Sequence, residues 1–402
     1  MNAAVQRPSF GVLLILFATW GTVFLDRMSQ LYLAPYMIPD LHLDDQQVGF
    51  LAAIVALTWA VSTVLFGAVS DRIGRRRVLL PSIFAFSALS WISGVVQSYE
   101  QMLLVRALLG LAEGPCWSVI TALVEETSEP RHRGRNVGMV VSAASLVGLA
   151  VAPVLTTQVA HHLGWRWAFF VAGVPGFIFG LLVWRFVPEP DRPSRAAQGV
   201  ALSDYLSLFS YRNIWMCCLA AVGIITWLFE INVFGPLYMT QVIHLEPTTA
   251  GFLMGASGVG AFLSGLFYPS LSDRIGRRAA LLIMAVMVAL NVLALLYTPL
   301  YQHLWLLAAI LLVTNAQQGV TAVAIVLVPT ETVPARFAAT AIGLATLAAE
   351  ALGATLAPAV GGAMAGRFGL AVPLWMGLGG AAAVLLAGLF IREPARRHES
   401  AG

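Results

Sequence analysis

Apolar runs of about the length of a bilayer crossing repeat along this chain, and most of its formal charge falls in the short gaps between them. A crossing helix needs about 20 mostly apolar residues, and the pattern predicts twelve, over 11–37, 46–69, 78–98, 102–123, 136–160, 167–186, 213–238, 248–271, 280–298, 304–328, 337–362 and 369–390. Residues 279–330 contain no Asp, Glu, Lys or Arg. At about 1.5 Å per residue that stretch is long enough for two crossings, with the turn near Thr298-Pro299 and His303. The expected fold is an all-α membrane protein.

Composition agrees. Of 402 residues, 59% are apolar and 11% charged, too greasy a balance for a soluble domain of this size, whose outward helix faces would need polar residues. All 23 basic residues are Arg. They are dense in 71–77, 131–135, 185–212, 274–278 and 391–397, whereas the opposite connections hold little beyond Arg166 and Arg367. By the positive-inside rule both termini face the cytoplasm of a bacterial-type inner membrane. The net charge of +3 is then an orientation bias. No nucleic-acid partner is expected, because membrane spans separate the arginines. No secretory signal pattern precedes the first span, so that span is expected to stay in the mature chain. Cys116, Cys217 and Cys218 lie in apolar segments and read as packing residues, not as a metal site or a disulfide.

The run Ser70-Asp71-Arg72-Ile73-Gly74-Arg75-Arg76 recurs as Ser272-Asp273-Arg274-Ile275-Gly276-Arg277-Arg278. A polar stretch from Pro190-Asp191-Arg192-Pro193 to Ser203 divides the chain near its middle. The expected organisation is a six-helix bundle over 1–188, a cytoplasmic linker over 189–211 and a second six-helix bundle over 212–402. Parallel repeats of this kind can rock about a central site. In each copy Gly permits a tight turn, and Asp71, Arg72 and Arg75, like Asp273, Arg274 and Arg277, can form a charged latch between helix ends.

These residues resemble the major facilitator superfamily, whose signature between its second and third helices is matched by Gly67, Asp71, Arg72, Gly74, Arg75 and Arg76; in the second copy Pro269 replaces the leading Gly. Within that superfamily the first half resembles the anion:cation symporter branch of organic-acid and sugar-acid carriers. The matching residues are Asp26-Arg27, Arg106 with Leu109-Gly110-Leu111-Ala112-Glu113-Gly114, Gly164-Trp165-Arg166-Trp167 and Pro334-Ala335-Arg336. Spinster-type lysolipid carriers share part of the pattern. The resemblance implies proton coupling at Asp26 and Glu113 and anion binding at Arg27 and Arg106.

The residues support a similar reading by themselves. Asp26, Arg27, Arg106, Glu113, Glu230 and Glu350 fall well inside predicted spans, where an unpaired charge costs several kcal/mol, so they must face the protein interior or water. Arg106 and Glu113 share one helix face, about 10 Å apart along it. Adjacent Asp26 and Arg27 diverge, so that one can meet the fourth helix while the other turns to a central path. Arg27 and Arg106 are the expected clamp for a substrate carboxylate, because guanidinium offers paired donors and stays charged. A static ion-pair network is the alternative.

In the second half Glu230, Asn232 and Glu350 form a possible further site. Their acidic members repel a simple anion, so they read either as a protonated or cation-binding pair or as hydrogen-bonding groups between helices. Tyr32, Trp117, Gln317 and Gln318, with Asn315, are candidate substrate contacts or helix-to-helix bonds. Trp227 and Phe229 are expected to make an apolar wall, and Trp165 and Trp167 to anchor at the membrane edge. Gly148, Ala152-Pro153, Gly353, Pro358, Gly361 and Gly362 mark bending helices. Two functions remain open: proton-coupled symport of a small organic anion, and proton-driven export of amphipathic, zwitterionic or lysolipid compounds. No enzyme is expected, since no nucleophile–base pair or ligand-spaced cluster is present. No cofactor is expected either; the coupling ion is H+, with another cation as the alternative. One chain supplies both walls of a path, so a monomer suffices.

Overall fold

A computed structural model describes residues 10–129, 132–189, 208, 210–334 and 337–393. Most of the expected linker, and Ala335-Arg336 of the branch motif, lie outside the described residues. Among the described residues twelve long helices follow one another: α1 Phe10–Leu41, α2 Asp45–Ile73, α3 Arg75–Ser93, α4 Tyr99–Thr127, α5 Arg133–Leu163, α6 Trp165–Phe186, α7 Arg212–Val242, α8 Pro247–Ile275, α9 Arg277–Leu296, α10 Leu304–Thr332, α11 Ala338–Phe368 and α12 Ala371–Phe390. Eleven of them, among the described residues, are long and apolar enough to cross a membrane. The remaining one, α3, is diluted by serines. Ser87, Ser90 and Ser93 are buried in the bundle, and Ser87 and Ser93 return their hydroxyls to carbonyls of their own helix, which makes a polar side chain tolerable at membrane depth.

Most helices run past their expected ends, because the charged signature is absorbed into them. Asp71 and Arg72 close the last turn of α2, and Arg75 opens α3. Only Gly74 separates the two helices, at φ 113°, and Gly276 repeats this between α8 and α9 at φ 95°. An L side chain rarely adopts that conformation, so the turn depends on Gly. At the opposite end Asp44 and Gln47 form a reciprocal cap on α2, satisfying backbone N–H groups that the helix itself leaves open.

Expected as continuous, α10 is broken at Asn315 and Ala316. The Asn315 side chain accepts from the Gln317 N–H at 3.1 Å and donates to the Ser257 carbonyl on α8 at 3.0 Å. It thereby supplies the backbone partners that unwinding removes. Equivalent π-helical stretches interrupt α5 at Ala144–Val151 and α11 at Ala349–Leu356, each running up to a proline, Pro153 and Pro358. The expected bending elements thus coincide with real departures from α geometry.

Among the described residues the halves meet chiefly at two helix crossings, with a smaller contact of α1 on α7. α2 packs on α11, and α8 packs on α5. A methyl group at Gly49 would strike the Pro358 carbonyl and the Gly362 backbone, and one at Gly251 would strike Thr157 and the Pro153 carbonyl. Gly49 and Gly251 are related by the same spacing as Asp71 and Asp273, so the two contacts are copies of one another. Both lie toward the Arg-poor end. There one apolar core runs through both bundles, from Leu33, Met37 and Leu51 to Phe234 and Leu237. Toward the Arg-rich end the first bundle has its own core around Leu16, Trp20, Phe86 and Leu123. The Arg133–Ala143 part of α5 packs on α1 and α4, and the Ala338–Ala348 part of α11 packs on α7 and α10, each within its own bundle.

Replacing Gly49 or Gly251 with Leu is expected to destabilise the protein by about 1–3 kcal/mol through overpacking, read as a lower unfolding temperature in detergent. Leu at Gly343, where the space around a Cβ is open, should leave it unchanged.

Candidate functional site

The charged groups of the first bundle gather around α1. Asp26 is fully buried and accepts a hydrogen bond from Ser90 of α3, whose hydroxyl also lies 3.0 Å from the Phe169 carbonyl on α6. Arg106 of α4 is equally buried, with its guanidinium carbon 4.8 Å from the Phe169 ring centre and its Nε 3.4 Å from Met102 Sδ. It lies within electrostatic reach of both Asp26 and Glu113. Glu113, buried one turn before Trp117, feels Asp26, Arg106 and also Arg27. Arg106 attracts both acids, which repel each other, without direct hydrogen bonds among the three: both Arg106 Nη atoms, both Glu113 oxygens and Asp26 Oδ2 have no hydrogen-bond partner among the described residues.

Arg27, the next residue after Asp26, points the other way. Its Nη2 lies 3.8 Å from Glu350 Oε2 on α11, across the seam between bundles. Three rings frame it: Trp59 of α2 at 5.0 Å, and Phe24 of α1 and Phe229 of α7, each at 5.8 Å. A guanidinium over aromatic faces gains about 0.5–2 kcal/mol per ring according to its desolvation, so the rings help hold this cation at the seam beside Glu350.

Further polar contacts cross the same seam. The Tyr32 hydroxyl donates to Asn232 Oδ1 at 2.7 Å, and the Ser145 hydroxyl donates to Gln318 Oε1 at 3.2 Å. Tyr32, Asn232, Gln318, Arg27 and Glu350 therefore belong to one interface. Gln317 turns back within α10 to Thr321. Trp117 packs on Trp20 inside the first bundle. Glu230 is fully buried against Gly361 of α11 and Gly377 of α12, inside the second bundle and away from the seam.

The arrangement revises several expectations. Arg27 and Arg106 do not form one clamp in this conformer, because Arg106 is sealed among α1, α4 and α6 while Arg27 reaches the other bundle. Trp227 does not line the seam; its indole donates to the Val288 carbonyl at 3.0 Å within the second bundle. Trp165 is no membrane-edge anchor. It is buried and, with Arg166, holds Asp40 at 2.8 Å, whereas Trp167 is exposed.

The repeated signature closes a polar cluster in each bundle. Arg75 meets Asp71 at 2.6 Å and Glu126 of α4 at 2.9 Å; Arg277 meets Asp273 at 2.7 Å and Glu331 of α10 at 2.6 Å. In each cluster Arg ties together the ends of three helices of one bundle. Arg72 and Arg274 instead point outward and are exposed. Glu189 accepts from the Arg76 N–H, and Glu393 from the Arg277 and Arg278 N–H groups, so each bundle's last helix leads back to the same turn. Sequence reasoning missed Glu126, Glu331, Glu189 and Glu393. The internal repeat held the signal, since Glu126-Thr127 and Glu331-Thr332, like Glu189-Pro190 and Glu393-Pro394, occupy matching places.

The sequence profile of the Major Facilitator Superfamily matches residues 15–358 and 231–402. The chain belongs to that superfamily. It is 30% identical to a probable 4-methylmuconolactone transporter of Cupriavidus pinatubonensis over 67% of this chain and 64% of the relative, so the match spans less than two thirds of that protein. It is 26% identical to a cis,cis-muconate transport protein of Acinetobacter baylyi over 88% of this chain and 87% of the relative. Its fold is similar to that of a bacterial homolog of the human lysosomal transporter Spinster, solved inward-facing and unoccupied, with a TM-score of 0.76, 18% identity and 97% and 98% of the two chains covered. These relatives are named as transporters, and eleven of this chain's described helices are long and apolar enough to cross a membrane.

Removing the Arg106 guanidinium by Arg106→Ala leaves two buried carboxylates facing each other and is expected to cost about 3–5 kcal/mol of stability. Adding Glu113→Gln removes one of those charges and should restore part of the loss, as read from thermal unfolding of the two variants.

Proposed function

We propose that this chain is a proton-coupled symporter of a small organic anion that works by alternating access. The observation that carries this reading is the opposed orientation of two neighbours on α1: Asp26 faces Arg106 inside the first bundle, while Arg27 faces the other bundle. A change of charge on one side of α1 is thus felt one residue away on the other.

Asp26 and Glu113 are two acids beside one fixed cation, so their group is neutral when one proton is bound. Arg27 offers an anion its forked donors at the place where both bundles meet. Glu113 lies within reach of both arginines and so links the two sites. Asp26, Glu113 and Glu350 against Arg27 and Arg106 leave one net negative charge when the site is empty, and again one when a proton and a monoanion are both bound. An anion without its proton doubles that charge and opposes closure in the low-dielectric interior. Coupling follows from that penalty. The relatives named for muconate and 4-methylmuconolactone transport support an organic acid as the cargo.

The tight crossings at Gly49 and Gly251 seal the Arg-poor end, and the polar clusters at Asp71–Arg75 and Asp273–Arg277 leave each bundle to move as a unit. With the Arg-rich end in the cytoplasm, this conformer faces inward, and both termini are cytoplasmic. The π-helical stretches of α5 and α11 are the elements that bend when the seal opens.

Purified protein in sealed proteoliposomes, given a proton gradient and a panel of monocarboxylates, sugar acids, aromatic acids and lysophospholipids, tests the proposal. Gradient-driven accumulation of an organic acid is expected. Arg27→Ala should reduce it at least tenfold, and Glu113→Gln should abolish accumulation while leaving exchange of internal for external anion partly intact. Movement of lysophospholipids with no movement of organic acids would replace symport with export, and full accumulation by Glu113→Gln would remove its coupling role.

A further inference from the structure

An acidic side chain beside the Arg27 guanidinium at the seam is the feature that anion transport leaves without a task. The middle of the membrane-spanning region holds four carboxylates, Asp26, Glu113, Glu230 and Glu350, and two guanidinium groups, Arg27 and Arg106. Arg106 is fully buried with Asp26 and Glu113 in the first bundle, and Glu230 is turned into the second. That leaves Arg27 and Glu350 facing each other where the bundles meet.

Their contact is an ion pair without a hydrogen bond. The separation is 3.8 Å, and Arg27 Nε and Glu350 Oε2 have no hydrogen-bond partner among the described residues. A guanidinium normally bonds a carboxylate through two short parallel bonds. Arg27 therefore keeps its donors available while its charge is balanced from a distance. The rings of Phe24, Trp59 and Phe229 surround the same guanidinium, leaving carboxylate-bearing Glu350 as the polar wall opposite it. Glu350 lies in the π-helical stretch Ala349–Leu356.

We infer that Glu350 is a specificity-determining residue that restricts the carrier to substrates with a single carboxylate, because its carboxylate stands opposite Arg27. The inference rests on the anion-transport reading above. A monocarboxylate takes Arg27 with its one charged end and turns a neutral end, or a hydroxyl that can donate a hydrogen bond, toward Glu350. A dicarboxylate of similar length brings its second charge toward Glu350, where the seam holds no second cation among the described residues, and like charges at short range in a low-dielectric site repel strongly. Membership of the superfamily leaves the number of charges open, since the relatives are named for a lactone acid and for a dicarboxylate.

The test compares matched acids in the same proteoliposomes: 4-methylmuconolactone with cis,cis-muconate, gluconate with glucarate, and hexanoate with adipate. For the wild type, kcat/KM is expected to favour the monocarboxylate at least tenfold in every pair that is transported. Glu350→Gln should shrink that preference at least fivefold, chiefly through a lower KM for the dicarboxylate, a split that a purely structural role for Glu350 would not give. Glu350→Ala serves the same comparison if the Gln variant is not monodisperse, and the wild-type ratio stands by itself. Equal kcat/KM for both members of the pairs in the wild type overturns the inference while leaving anion transport standing, as does an unchanged preference in a folded Glu350 variant. Transport of none of the six acids overturns the anion reading, and this inference with it.

Discussion

Charge inside a membrane has to be matched within the protein, and that constraint organises this molecule. An isolated carboxylate or guanidinium costs several kcal/mol at mid-depth, yet six such groups are present in the middle of the spans. The protein divides them. One set closes on itself inside the first bundle around Arg106, one pair meets across the seam at Arg27 and Glu350, and Glu230 is enclosed by small residues of the second bundle. α1 joins the first two sets, because consecutive residues on a helix point about 100° apart. Asp26 and Arg27 can therefore serve different compartments while staying mechanically inseparable.

The second organising feature is duplication. Each bundle has a Gly at the turn between its second and third helices, an Arg that ties three helix ends together, and a Glu at its C-terminal end that returns to the turn. Each also gives the other a glycine-lined crossing on a helix that departs from α geometry before a proline. Symmetry of this kind makes the sealed end from two equal contacts. At these crossings backbone lies against backbone, so the seal relies on the absence of side chains. Van der Waals packing of this sort has little directional commitment, which suits the opening proposed for this end.

The polar links across the seam are few and of another character. Arg27–Glu350, Tyr32–Asn232 and Ser145–Gln318 each join one bundle to the other through side chains alone. A cargo that brings its own charge and hydrogen-bonding groups can exchange for them one by one. In the proposed symport the cavity charge is set jointly by the cargo and by the protonation of the acids behind α1.

Much of this architecture was legible in the chain itself. The length and spacing of the apolar runs pointed to twelve long helices, because a bilayer core tolerates only long apolar helices with satisfied backbones, and eleven of those described are long and apolar enough to cross. The repeated Asp-Arg-Ile-Gly-Arg-Arg revealed the duplication, and the adjacency of Asp26 and Arg27 already required them to diverge. Helix ends were less legible, since charged residues at a membrane surface do not announce whether they continue a helix or leave it; Asp71, Arg72 and Arg75 turned out to be helical. What only the tertiary structure decided is who meets whom. Glu350 lies more than three hundred residues from Arg27 in the chain, Glu126 and Glu331 find their arginines on other helices, and Arg106 is sealed away from the seam instead of sharing a carboxylate with Arg27. Periodicity places a side chain on a face of its own helix, whereas its partner is set by the docking of helices distant in sequence, and that docking is where the chemistry of this protein is made.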